Sequence, residues 1–138
     1  MDKALSYLAL ARKAGLIELG EEPVGAITRA GKAALVIVSS DASGHTWRRA
    51  HSFVAGTEQQ CLKLPFTKAE VGMAVGRQEL AIGAITDPAL AVSFAQALPD
   101  GAAKAVLPAL EEKALRQKKR RQEARAHQRN VRKGKKQD

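Results

Sequence analysis

The side chains in this sequence best suited to chemistry are cations, and the chemistry they suit is neutralising phosphate. The chain has 138 residues and a formal net charge of +9. Residues 1–100 hold ten Lys/Arg and ten Asp/Glu, whereas residues 101–138 hold thirteen Lys/Arg against four acids, so the whole excess lies at the C-terminal end. Lys118, Lys119, Arg120 and Arg121 are consecutive, and Arg125, Arg129, Arg132, Lys133, Lys135 and Lys136 follow them. A block of like charge repels itself, stays solvated, and often serves as an arm for nucleic acid. Six such cations on phosphates would make log K fall with log salt at a slope of about −5 on a duplex. Contacts of this kind supply affinity and no sequence choice. Binding to a membrane surface would need an apolar face that the distal tail lacks, so no membrane partner is expected.

The remaining reactive side chains point away from catalysis. His45, His51 and His127 are dispersed, and one cysteine cannot complete a zinc site, so neither a metal nor a cofactor is expected. No G-x-x-x-x-G-K-[ST] or G-x-G-x-x-G string occurs, and Gly72, Gly76 and Gly83 are too scattered to cradle phosphates. Asp41, Ser43 and His45 lie close in sequence, but turn formation accounts for them. His51 reads as a partner for Glu58 or a surface residue, Cys61 as a packed small hydrophobe, and Trp47 as half-buried against a sheet. The expectation is therefore a protein that is not an enzyme. With a single cysteine there is no internal disulfide, and a reducing, cytoplasmic location is the default. The longest apolar run, Ala33 to Val38, is far short of the ~20 residues that span a bilayer.

The elements that must position these groups follow from periodicity and punctuation. Asp2 to Ala14 places Leu5, Leu8 and Ala9 on one helical face, and Gly15 reads as its stop. Leu16 to Leu19 reads as a short extended piece. Glu21, Glu22 and Pro23 suit a first helical turn, since acids favour the positive end and proline has no donor to lose there. That helix runs to Ala30. Ala34 to Ser39 is a β-branched run expected of a strand buried on both faces. A helix over Ser43 to Ala55 and a strand over Gln60 to Leu64 come next. Thr67 and Glu70 have capping-box spacing, and Leu80 to Ile85 reads as the last strand. Asp87-Pro88 opens a helix through Leu98. Strands separated by helices imply an α/β fold, a three-layer α/β/α sandwich of one domain over residues 1–98. Pro99-Asp100-Gly101 marks the boundary with a basic tail over residues 99–138. Val106, Leu107, Leu110 and Ala114 keep helical spacing, so the start of the tail is expected to pack on the domain. From Gln117 onward no core can form, and a mobile segment or a solvated helix is expected.

The strings LALARKAGLIELGEEPVGAITRAGKAALVIVSSDAS and FTKAEVGMAVGRQELAIGAITDPALA resemble, in order and spacing, the bacterial YlxQ-like branch of the L-seven-Ae/L-thirty-e ribosomal protein superfamily. The resemblance covers roughly residues 3–98. It implies a sandwich that docks one edge onto folded RNA, typically a kink-turn, through the start of the second helix and a loop before the last strand. Carried over by position, it places Gly20 where backbone approaches RNA, Glu21 and Glu22 at the RNA-facing helix end, and Val75 to Glu79, with Gly76, Arg77 and Gln78, in the selectivity loop. Lys32 falls where the family touches phosphate. Glu22 stands where kink-turn binders usually have asparagine or lysine, Pro23 where they have glutamate or glutamine, and Ala26 where a lysine is common. The implied function is non-catalytic binding of structured RNA, ribosomal or kink-turn-like, by a monomer that can have protein partners in a ribonucleoprotein. A protein-interaction module of the same fold is the alternative.

Overall fold

The computed structural model describes residues 2–99 and 101–136. Asp100, at the expected boundary, and the Arg132, Lys133, Lys135 and Lys136 side chains lie outside the described residues. In chain order the elements are α1 (Lys3–Ala14), β1 (Ile17–Leu19), α2 (Glu21–Arg29), β2 (Leu35–Val38), α3 (Gly44–Val54), β3 (Gln60–Lys63), α4 (Lys68–Ala74), β4 (Ile82–Ile85), α5 (Pro88–Gln96) and α6 (Leu107–Lys136).

Local chemistry sets most of the boundaries. Asp2, Ser43, Thr67 and Asp87 each cap a helix, accepting backbone N–H bonds through their side chains. Thr67 and Glu70 form the reciprocal capping box that their spacing predicts. Gly15 ends α1 at φ 70°, a left-handed turn that glycine takes without a Cβ penalty. The last strand differs from expectation: it begins at Ile82, not Leu80. The Leu80 N–H donates to the Lys68 carbonyl, and the Leu80 carbonyl accepts from Ser39 Oγ. These bonds replace the ladder and hold the approach to β4 out of register.

The four strands lie in the order β1-β4-β2-β3, with β4 antiparallel to both β1 and β2 and β3 parallel to β2. Because side chains alternate along a strand, the apolar run of β2 feeds two cores. Leu35 and Ile37 pack with Leu5, Leu8, Val71 and Phe94 of α1, α4 and α5, while Val36 and Val38 pack with Val24, Ala50 and Val54 of α2 and α3. Helices therefore cover both faces of the sheet, as the three-layer expectation requires. The first core continues past residue 99. Ala103, Val106 and Leu110 are buried in it, as their helical spacing predicts.

Buried polar groups are few and paired. Gln59 accepts from the Ala33 N–H and donates to the Thr28 carbonyl, so it ties the α2–β2 turn to the start of β3. Gln59→Leu would strand both backbone groups in the interior, and an unsatisfied buried partner costs about 1–3 kcal/mol. A lower denaturation midpoint at unchanged slope is the expected result; an unchanged midpoint would refute the role. Cys61 is half-buried against the second core, and burial pushes its thiol pKa up. His51 does not pair with Glu58. It stands edge-on to Trp47 with ring centroids 4.4 Å apart, and Glu58 instead accepts from Arg116.

Candidate nucleic-acid interface

The end of the sheet where β1 finishes gathers groups distant in sequence. Leu19 pairs with Gly83, and the next amide, Gly20, donates to the Ile82 carbonyl at 3.0 Å. Gly20 has φ 100° and ψ 162°, a conformation that L side chains rarely adopt, so the chain can turn straight into α2 only with glycine here. The consequence is a helix start with no side-chain cap, unlike α1, α3, α4 and α5. First-turn amides without an internal partner, together with the positive end of the helix dipole, attract anions and acceptors.

The loop between α4 and β4 comes to the same end. Gly76 turns it with φ 79°, and Arg77 donates its N–H to the Gly72 carbonyl at 2.8 Å. Gly72 is packed so closely under the loop that an added Cβ would lie 2.5 Å from Glu79 Cα. Gly76, Arg77, Gln78 and Glu79 are all exposed. Gly20 is bonded to Ile82, and the loop runs directly into Leu80, which Lys68 and Ser39 hold, so both meet the chain at residues 80–82.

Of the two acids that open α2, Glu21 is neutralised within the protein. Its Oε1 accepts from Arg49 Nε at 2.7 Å, and the Arg49 guanidinium lies 5.0 Å from the centre of the Phe53 ring. Both partners are about half exposed, so the pair adds little stability, but it cancels the Glu21 charge at the start of α2. Glu22 remains exposed. Arg49 was not foreseen, because the bond joins residues 28 apart and only the Arg48-Arg49 doublet in α3 hinted at it. Lys68, whose N–H donates to Asp41 Oδ1, also belongs to this end.

Lys32 does not. It follows Gly31 in the turn after α2, about 13 Å from Gly20 at a helical rise of 1.5 Å per residue, at the opposite end of the sheet. There it lines a shallow cleft with Glu18, Thr86, Lys113, Gln117 and Arg120. Lys113 Nζ donates to the Ala33 carbonyl at 3.1 Å, and burial lowers the Lys113 pKa. Arg116 meets Glu58 at 3.2 Å, while Gln117 and Arg121 both reach Asp87. The structure therefore divides the expected residues between two ends: Gly20, Glu21, Glu22, Gly76, Arg77 and Gln78 at one, and Lys32 with the root of the basic helix at the other. Lys118, Lys119, Arg120 and Arg121 are exposed on α6. Among the described residues, no three His, Cys, Asp or Glu side chains converge as a metal site, and no helix is long and apolar enough to cross a membrane.

No protein-family model matches the chain. Among curated proteins, the RNA-binding protein YlxQ of Enterococcus faecium is 32% identical over 83 residues, which is 60% of this chain and 80% of the relative. Among solved structures, a protein of unknown function from Bacillus halodurans C superposes with a TM-score of 0.66 at 28% identity, covering 70% of this chain and 97% of that one. The Giardia lamblia 15.5kD RNA binding protein superposes with a TM-score of 0.60 at 17% identity, covering 78% and 87%, a likeness of fold alone. A sandwich with a glycine-opened second helix beside a glycine-turned loop, and the identity to a relative most of whose length is covered, lead to one assignment: the chain belongs to the YlxQ family, on the L-seven-Ae/L-thirty-e fold.

Proposed function

We propose that this protein is a non-catalytic binder of structured RNA, kink-turn-like or ribosomal, acting as a cytoplasmic monomer within a ribonucleoprotein. The observation that carries this reading is that the uncapped α2 start, bonded through Gly20 to Ile82, and the Gly76–Gln78 loop, which leads into the doubly held Leu80, meet at one end of the sheet. Two rigidly spaced groups of this kind suit a bent backbone, because RNA of irregular shape is recognised by geometry more than by groove edges. Backbone amides at Glu21 and Glu22 would meet acceptors on the RNA, Arg77 a phosphate, and Gln78 a base edge. The exposed Glu22 carboxylate would accept from base amino or imino groups. The basic tail supplies phosphate contacts indifferent to sequence.

The test is fluorescence anisotropy with a kink-turn hairpin and with the same hairpin made fully paired, over a range of salt. The kink-turn form is expected to bind more tightly, and Arg77→Glu to weaken that form alone, by about tenfold or more for a charged contact replaced by its opposite. Equal affinity for both forms would reject shape recognition. No binding of either at low salt would reject RNA as the ligand.

A further inference from the structure

We infer that α6 carries a second, separate RNA site, so that one molecule of this protein holds two RNA segments at once. The inference rests on the reading of the tail as phosphate-binding and adds to it a place, a face and a partner.

The place follows from the direction of α6. Leu107, its first residue, shares a cleft with Ala95, Gln96 and Leu98 at the end of α5, whereas Gln117 and Arg121 reach Asp87, the cap at the start of α5. The two helices are therefore antiparallel. Asp87 lies two residues after Ile85, whose carbonyl accepts from the Ala34 N–H beside the α2–β2 turn, at the end of the sheet away from Gly20. About half of the 30 residues of α6 continue outward from that point, some 22 Å at 1.5 Å per residue. The basic helix thus leads away from the Gly20–Arg77 end.

The face follows from helical spacing. Lys113, Arg116 and Gln117 hold the root of α6 against Ala33, Glu58 and Asp87. A different row, Lys118, Arg121, Arg125 and Arg129, recurs at i, i+3, i+7 and i+11, one cation per turn along one side. All four are exposed, and Glu123 is the single acid from Lys118 to Val131. Among the described residues the row has one ion-pair partner, Asp87, at 3.9 Å from Arg121. Its partner is polyanionic by complementarity, and a regular row of cations without an apolar strip beyond Leu115 fits the repeating phosphates of a duplex.

The experiment uses the full chain, a kink-turn hairpin and a plain RNA duplex of about 20 base pairs, each labelled differently. Lys118→Gln, Arg121→Gln, Arg125→Gln and Arg129→Gln are combined; Gln keeps helix propensity, which circular dichroism checks. The duplex is expected to bind the wild type and the Arg77→Glu variant equally. The fourfold variant should lose about 100-fold in duplex affinity, with a salt slope shallower by roughly three to four. Native mass spectrometry should find protein, hairpin and duplex together for the wild type and only the hairpin complex for the fourfold variant. The proposal is overturned if hairpin and duplex displace one another, if the fourfold variant binds duplex like the wild type, or if poly-glutamate occupies the row as tightly as duplex. Failure of the hairpin to bind while duplex binding still depends on the row would reject the kink-turn reading and leave this site standing.

Discussion

Ending the chain after Leu98 is expected to unfold this protein, whereas ending it after Gln117 is expected to leave it folded. The tail that follows Leu98 is not one thing. Ala103 and Val106 are each 5% exposed and Leu110 is 1% exposed, and they complete the same core as Leu8 and Phe94. Stripping a buried leucine to alanine typically costs 2–5 kcal/mol, and losing the whole segment also bares the apolar sides of α1 and α5. Against a usual total stability of 5–15 kcal/mol, the loss takes most of the margin. Among the described residues, cutting after Gln117 removes only exposed side chains from α6 and keeps Lys113 on the Ala33 carbonyl. Thermal melts of the two truncations, with Leu110→Ala as a milder probe expected to cost about 2–5 kcal/mol, check the claim. A 1–98 fragment melting cooperatively within a few degrees of the full chain would show that the core closes without α6.

Gly72→Ala is expected to damage the loop it supports more than any substitution within the loop. An added Cβ would stand 2.5 Å from Glu79 Cα, 2.7 Å from its nitrogen and 2.8 Å from its carbonyl carbon. These are backbone atoms, so no rotamer change relieves the clash. Overpacking of this kind typically costs 1–3 kcal/mol, and here relief comes by pushing the Arg77–Glu79 segment outward. That motion stretches the Arg77 N–H bond to the Gly72 carbonyl and breaks the fixed spacing from Gly20. Hairpin affinity should fall about tenfold or more, while plain duplex affinity, assigned to α6, stays level; a tenfold loss corresponds to 1.4 kcal/mol. Gly76 offers the contrast. A Cβ there meets nothing within 4 Å, and φ 79° alone makes the change unfavourable, by about 1–2 kcal/mol. If Gly72→Ala and wild type bind the hairpin alike, the loop is not a recognition element.

Much of the architecture was legible in the residues, and the legible parts share a physical character. Caps at Thr67 and Asp87, the Gly15 stop and the two-faced apolar run of β2 are interactions within three or four residues, or burial patterns of a single strand. Such features are encoded locally and read locally. Alternation of strands and helices extended this to the sandwich, and the family strings to the pairing of a glycine-opened helix with a glycine-turned loop.

Other features were settled only by folding. Arg49 cancels Glu21 across 28 residues, Leu80 leaves its ladder for Lys68 and Ser39, and Lys113 fastens α6 to Ala33 across 80 residues. No periodicity announces these bonds, because each depends on which strand edges meet. The antiparallel placement of β4 between β1 and β2 brings Gly20 and Arg77 to one end, and the same placement sends Lys32 and the basic helix to the other. Composition determined that a neutral domain carries a cationic arm. Tertiary structure decided which way the arm extends, because direction depends on long-range packing and not on any neighbour in the chain.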